Sequence, residues 1–295
     1  MTLAPSDITL AAVDAGARGR GWRRALRRHP TIAIGAALLT LMAAMAIFAP
    51  YLGTVDPQAI SPIARLRWPS AAHWFGTDAL GRDVYSRTIY GARVSLIVGF
   101  SVAALSTGFG LLIGLVSGYN RWIDAIVMRV MDGLMAIPSI LIAIALMALT
   151  RASMKNVIFA ITVGEVPRVT RLVRGIVLGL REAPYVEAAV ASGTPPLRIL
   201  RRHILPNTLS PLFVQATFTA ASAMIVEAYL SFLGVGTPPI IPSWGNIMAE
   251  GRTWFQIAYY LVLFPGLMLS LTVLAVNLLG DGLRDALDPR LQRRM

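Results

Sequence analysis

Long apolar stretches recur along the whole chain, and nothing else in the sequence restricts its fold as strongly. The first is uncharged across residues 31–52; others run over about 94–116, 123–149, 157–180, 209–233 and 257–279. Each is near the ~20 residues a helix needs to cross ~30 Å of hydrocarbon. Lipid offers the backbone no hydrogen-bond partner, so such segments must satisfy their own N–H and C=O groups as helices. The expectation is an all-α integral membrane protein with about six transmembrane helices. Composition agrees: of 295 residues 56% are hydrophobic and 14% charged, with mean hydropathy +0.64. A soluble domain usually carries nearer ~25% charged residues. A cleaved leader is the rival reading of the first stretch, since Ala44-Met45-Ala46 resembles a small-residue cleavage site. The apolar run continues past that site, and more spans follow.

The net charge of +12 is almost all arginine, Lys155 being the sole lysine. The arginines sit between apolar runs rather than on one basic face, which argues for a membrane topology and against nucleic acid. An N-terminus in the cytoplasm puts most of them inside: Arg18, Arg20, Arg23, Arg24, Arg27 and Arg28, the region from Arg168 to about residue 207, and the tail with Arg290, Arg293 and Arg294. The reading is N-in, C-in, multi-pass, with a basic cytoplasmic segment at 1–30, a transmembrane domain at 31–280 and a cytoplasmic tail at 281–295. The stretch at 157–180 is the least clean, because Arg168, Arg171 and Arg174 crowd its second half. Its lipid-buried part is expected to end early.

Several chemistries are missing. Lys155 lacks the glycines of a P-loop, the three histidines are scattered, and neither His-Glu-x-x-His nor Gly-x-Ser-x-Gly occurs. Cysteine is absent, which removes thiol catalysis and cysteine metal sites. Vectorial work by such a chain draws on an ion gradient or on a separate ATPase.

Residues 181–208 read as helix, turn, helix on the inner side. Pro184 suits a first helical turn. Gly193 suits the left-handed residue that stops that helix. Thr194 then suits an N-cap, Pro195 the first position of a second helix, and Pro206 its end. A short helix with little bulk besides Tyr185 fits a groove on a soluble partner; the plain alternative is a connection between two spans.

Specific motifs sharpen this. Glu187-Ala188-Ala189, then Gly193, then His203-Ile204-Leu205-Pro206 resembles the EAA loop of binding-protein-dependent ABC importer permeases. Gly76-Thr77-Asp78-Ala79-Leu80-Gly81-Arg82-Asp83, Gly91-Ala92-Arg93-Val94-Ser95-Leu96 and Pro242-Ser243-Trp244-Gly245-Asn246 resemble the C-type pore subunit of dipeptide, oligopeptide and nickel importers. The sequence departs from that pattern at Ser192, at Val166 (where tryptophan is usual, with Glu165 beside it) and at Pro195-Pro196. The resemblance implies the type I ABC importer permease fold in a bacterial inner membrane. It further implies a peptide or similar small solute as cargo, and no catalysis by this chain. Tyr185, Glu187, Ala188, Ala189, Gly193, His203, Leu205 and Pro206 would couple the pore to ATP hydrolysis. The implied partners are a homologous second permease subunit, two ATP-binding subunits that use ATP and Mg, and an extracytoplasmic solute-binding protein. This chain itself would bind no cofactor.

Other residues keep two readings. Glu187 either meets a basic group of a partner or pairs with Arg181 or Arg202. Arg129 and Asp132, one turn apart, pair with each other or with neighbours. Together with Glu227 they are the intramembrane candidates for the substrate path. Glu227 contacts substrate or a gate, or makes a structural hydrogen bond. Gly110, Gly114 and Gly118 form a small-residue ridge for packing, inside the subunit or against its mate. Pro138 should kink the third span or free a carbonyl. The tryptophans of segments 51–91 and 234–255 anchor at the membrane interface or form a platform for the binding protein. An ion-gradient-driven secondary transporter is the competing class, and an intramembrane enzyme the third, without a recognisable catalytic set.

Overall fold

The computed structural model describes residues 30–287; the basic cluster within 18–28 and the arginines from 290 onward lie outside the described residues. The helices are α1 (Pro30–Ile47), α2 (Val84–Tyr119), α3 (Arg121–Met135), α4 (Ser139–Leu149) and α5 (Met154–Arg181), then α6 (Pro184–Ala191), α7 (Pro196–Ile199), α8 (Leu205–Phe232), α9 (Trp244–Thr253) and α10 (Tyr260–Leu287). No β-strand occurs among the described residues; a single bridge joins Thr77 to Asp83.

Capping side chains set the starts. Asp83 accepts from the Ser86 N–H at 2.8 Å, Asn120 from Trp122 at 2.9 Å, Ser153 from Asn156 at 3.2 Å and Ser243 from Asn246 at 3.2 Å. Each satisfies a donor that the first helical turn leaves free. The Asp83 cap explains why α2 begins well before its apolar run. At the other end of the chain, α10 continues past 280 to Leu287, so the expected boundary of the tail falls inside a helix.

Among the described residues, four helical rods are long and apolar enough to cross a membrane: α1, α2, the continuous stretch Pro196–Phe232, and α10. Helices α3 and α4 count as a fifth if taken together, but they are bent by 86°. Pro138 does not kink one helix; it opens a new one, because proline lacks the N–H and drives Ile137 out of the helical region. The arginines of α5 keep it from reading as apolar, yet at 28 residues it is long enough for a sixth crossing.

Helix α5 also stays inside the bundle. Gly110, Gly114 and Gly118 of α2 lie against Val169, Val173 and Val177 of α5, all three fully buried. A Cβ on the glycines would come within 2.6, 2.7 and 2.7 Å of the facing valine Cβ atoms. The glycine ridge therefore packs within the subunit, and the absence of side chains is what lets the two backbones approach. Helix α1 lies along α10 in the same manner, where a Cβ on Gly35 would meet the Leu279 backbone nitrogen at 2.7 Å. Helix α8 packs against α2, α5, α9 and α10.

The end opposite the 181–208 loop, taken as outer from the arginine distribution, is held by polar clusters. Asp78 accepts from the backbone N–H of Leu80 and Arg82, from Arg82 Nε at 2.7 Å and from Arg87 Nη1. Glu250, on α9, accepts from Arg82 Nη2 at 2.6 Å and from Arg87 Nη1 at 2.6 Å. Arg87 and Asp78 are each only 1% exposed. Tyr260 donates its hydroxyl toward the carbonyls of Arg67 and Thr77 at 2.9 and 3.0 Å, and Trp244 donates to the Thr88 carbonyl at 2.9 Å. These bonds fasten segment 61–83 to α2, α9 and α10.

Candidate functional site

The loop at 181–208, on the side that the arginine distribution marks as inner, is a closed knob. Pro184 stands in the first turn of α6, where its missing N–H leaves nothing unpaired. Gly193 ends the helix at φ +75°. Its N–H bonds the Val190 carbonyl at 2.9 Å, and the Thr194 N–H bonds the Ala189 carbonyl at 3.1 Å. That pair is the Schellman pattern, and it satisfies the last carbonyls of the helix. Ser192 adds a 2.8 Å bond from its hydroxyl to the Ala188 carbonyl. The next cap lies one residue later than expected: Pro195 is the N-cap and Pro196 the first helical residue. Thr194 is spent on closing the turn.

Pro206 does not end the second helix. A π turn, Leu200–Ile204, follows α7 and leads directly into α8, with the Leu205 N–H bonding the Leu200 carbonyl. The wider turn accommodates the ring of Pro206 and its missing donor, which a regular helix would not tolerate. Knob and span are therefore one rod.

Three side chains fix the knob to the bundle. Val186, Ile199 and Ile204 are buried in one apolar cluster with Val169, Val173, Val177 and Leu212. These valines are the ones that face the α2 glycines, so the knob shares its core with the α2–α5 seam. Ala189 is half-buried toward this core, whereas Ala188 and Glu187 point outward. Tyr185, Val190 and Leu197 are exposed large apolar groups at 46%, 55% and 77%. The Tyr185 ring lies 6.2 Å from that of His203. Leu205 is half-buried and Pro206 exposed.

Glu187 has no ion pair among the described residues. Arg181 is committed elsewhere: it donates to the carbonyls of Gly118 and Tyr119 at 3.1 and 3.2 Å and covers the Tyr119 ring. It thereby caps the C-terminus of α2, where a cation also meets the negative end of the helix dipole.

The other candidates fall into separate places. Arg129 and Asp132 are both exposed on α3 and do not pair with each other. Asp132 is bonded by Arg171 of α5, and the neighbouring Asp124 accepts from Arg174 Nη2 at 2.6 Å. Both pairs join α3 to α5. Glu227 is fully buried near the outer end of α8. It accepts from Ser231 at 2.8 Å and from Thr237 at 3.1 Å, while Asn246 holds the Thr237 carbonyl at 3.0 Å. This carboxylate pins the turn after α8 onto α9. Sequence reasoning quoted Ile204 within a motif but gave no anchoring role to Val186, Ile199 or Ile204. Their spacing around the exposed Tyr185 and Leu197 was the available signal.

The fold and the knob define a class: an all-helical membrane permease subunit. Residues 107–293 match the family described as binding-protein-dependent transport system inner membrane component. Residues 18–69 match the N-terminal TM domain of oligopeptide transport permease C. A probable peptide ABC transporter permease of Sinorhizobium fredii is 54% identical over 271 residues, 92% of this chain and 93% of that one. A dipeptide transport system permease of Alkalihalophilus pseudofirmus is 44% identical, over 92% and 90% of the two chains. A glutathione transport system permease of Pectobacterium atrosepticum is also 44% identical, over 92% and 90%. Among solved structures, a chain of the methionine ABC transporter MetNI in inward-facing conformations shares the fold at TM-score 0.56 and 23% identity, covering 68% of this chain and 96% of that one. The chain belongs to the binding-protein-dependent transport system inner membrane component family. It is a multi-pass inner-membrane permease subunit of an ABC importer with the type I fold, not an enzyme.

Proposed function

We propose that this subunit forms half of the pore of an ATP-driven importer for peptides or a similar small solute. Its knob at 181–208 docks in a cleft of an ATP-hydrolysing subunit. The assembly comprises a homologous second permease subunit, two ATP-binding subunits or domains and an extracytoplasmic solute-binding protein. ATP and Mg are bound by the partners. The N- and C-termini face the cytoplasm, in keeping with the arginine-rich inner segments. The peptide reading is supported by the relatives named for peptide, dipeptide and glutathione transport.

The observation that carries the coupling role is the knob's two-sided construction. Its inner side is anchored by Val186, Ile199 and Ile204 in the seam core. Its outer side leaves Tyr185, Glu187, Ala188, Val190 and Leu197 exposed. Push on such an element and the α2–α5–α8 seam must respond, because packed cores shift as units.

Gly193→Asp tests this. No atom lies within 4 Å of a Cβ built at Gly193, and Asp tolerates the left-handed region better than most residues. The variant should insert and assemble normally in proteoliposomes. ATP hydrolysis by the complex should lose its response to solute-loaded binding protein, and uptake should fall with it. Coupled uptake at the wild-type rate would refute the docking role.

A further inference from the structure

Glu165 and Arg168 of α5 form an ion pair that the coupling role does not use. Arg168 Nη1 lies 3.1 Å from one carboxylate oxygen of Glu165 and 3.5 Å from the other. The two ends differ sharply in exposure: the Glu165 side chain is 2% exposed and that of Arg168 is 55%. Nε and Nη2 of Arg168 have no partner among the described residues.

The pair lies at membrane depth. Val169, next in sequence, packs on Gly110 of α2, about 14 Å along the axis from the inner end of that helix. Helix α2 is uncharged from Val94 through Tyr119. A guanidinium this deep and this exposed is expensive against acyl chains, and such groups face a water-filled cavity or another polar surface. The surroundings are polar as well. Ser222 of α8 sits against the Glu165 carboxyl. Ser139, at the start of α4, packs on Gly164, where a Cβ would come within 2.9 Å of the serine Cβ. Helices α4, α5 and α8 thus bring a serine, an acid, an arginine and a second serine to one strip within the inner part of the bundle.

We infer that Arg168 receives the carboxylate end of the transported peptide on its way through the inner half of the pore. This rests on the reading of the chain as a peptide-importer subunit. The planar fork has two unused donors, the geometry that matches a carboxylate. Every linear peptide with a free C-terminus carries that group whatever its side chains, so one contact serves cargo of any sequence. Glu165 tempers the contact. It neutralises the arginine from behind, so the incoming anion is held weakly enough to be released, as conduction through a pore requires.

The test uses the complete transporter in proteoliposomes and one tripeptide in two forms, with photoactivatable leucine as its last or as its first residue. Both forms keep free termini. The last-residue probe should label α5 around Arg168, or Ser222 on α8, several-fold more than the first-residue probe. Arg168→Gln should abolish that preference and reduce uptake roughly tenfold or more, the loss expected for a hydrogen bond to a charged group. Arg168→Lys should restore part of both. Equal labelling by the two probes, or unchanged labelling and uptake in Arg168→Gln, overturns the inference while leaving the peptide reading intact. A wild-type complex that neither imports nor is labelled by either tripeptide overturns both.

Discussion

The two ends of this molecule are built on opposite plans. At the outer end, Asp78, Arg82, Arg87 and Glu250 pair with one another, while the buried Glu227 carboxylate accepts from Ser231 and Thr237 on one oxygen and leaves the other without a partner among the described residues. At the inner end, the knob closes its own backbone and is anchored by buried apolar side chains, with Arg181 at its root bonded to the Gly118 and Tyr119 carbonyls, while Glu187 is exposed with no ion pair among the described residues. The outer end uses most of its charges on one another, whereas the outward face of the knob leaves Glu187 without an ion pair among the described residues. An element meant to transmit force benefits from that arrangement, because a packed apolar anchor is stiff while an unspent polar face is free to bind.

This contrast is open to breakage, most strongly at the outer end. Asp78→Ala removes the acceptor for two guanidinium groups and two backbone N–H donors at a fully buried site. It should cost roughly 3–5 kcal/mol, the range for breaking a buried pair. Thermal unfolding of the purified complex should show it, with Asp78→Asn intermediate because shape is kept and charge lost. Gly114→Val comes next. A Cβ there already falls 2.7 Å from Val173 Cβ and 2.8 Å from the Thr170 carbonyl oxygen. Overpacking the seam should cost roughly 1–3 kcal/mol, and because the knob shares that core, ATPase response should weaken along with melting temperature. Gly193→Ala should cost only about 1–2 kcal/mol, the left-handed penalty alone, since the surrounding space is open. The smallest effect on stability is expected for Glu187→Gln, within about 0.5 kcal/mol. Its reading in transport is the sharper one: a fall in solute-stimulated hydrolysis at unchanged melting temperature means the carboxylate serves a partner, and no change in either means it serves nothing.

What could be read from the chain beforehand was what local chemistry dictates. Gly193 announced a left-handed stop, and φ +75° is what stands there. The apolar runs announced membrane helices because hydrocarbon leaves no other option for the backbone. Long-range pairings were not legible. Arg87 and Glu250 are 163 positions apart, and nothing in either neighbourhood names the other. Asp132 was weighed against Arg129 on its own helix or against neighbours, and its partner proves to be Arg171 of α5, 39 positions on. The misplaced stop at Pro206 has a similar origin. A proline rule assumes a regular α-helix, and a π turn is a departure from regularity that no residue type declares.

The continuity from Pro196 to Phe232 has a mechanical consequence. A hinged loop between knob and span would let a cytosolic displacement dissipate as slack. Here the same helical rod, 37 residues long, starts in the knob and finishes beside the Glu227 clasp. A tilt at one end is thereby carried toward the other, with the π turn at Leu200–Ile204 and Pro211 inside α8 as points of give. Under the proposed coupling role, the glycine–valine seam that shares the knob's core is where such a lever would bear.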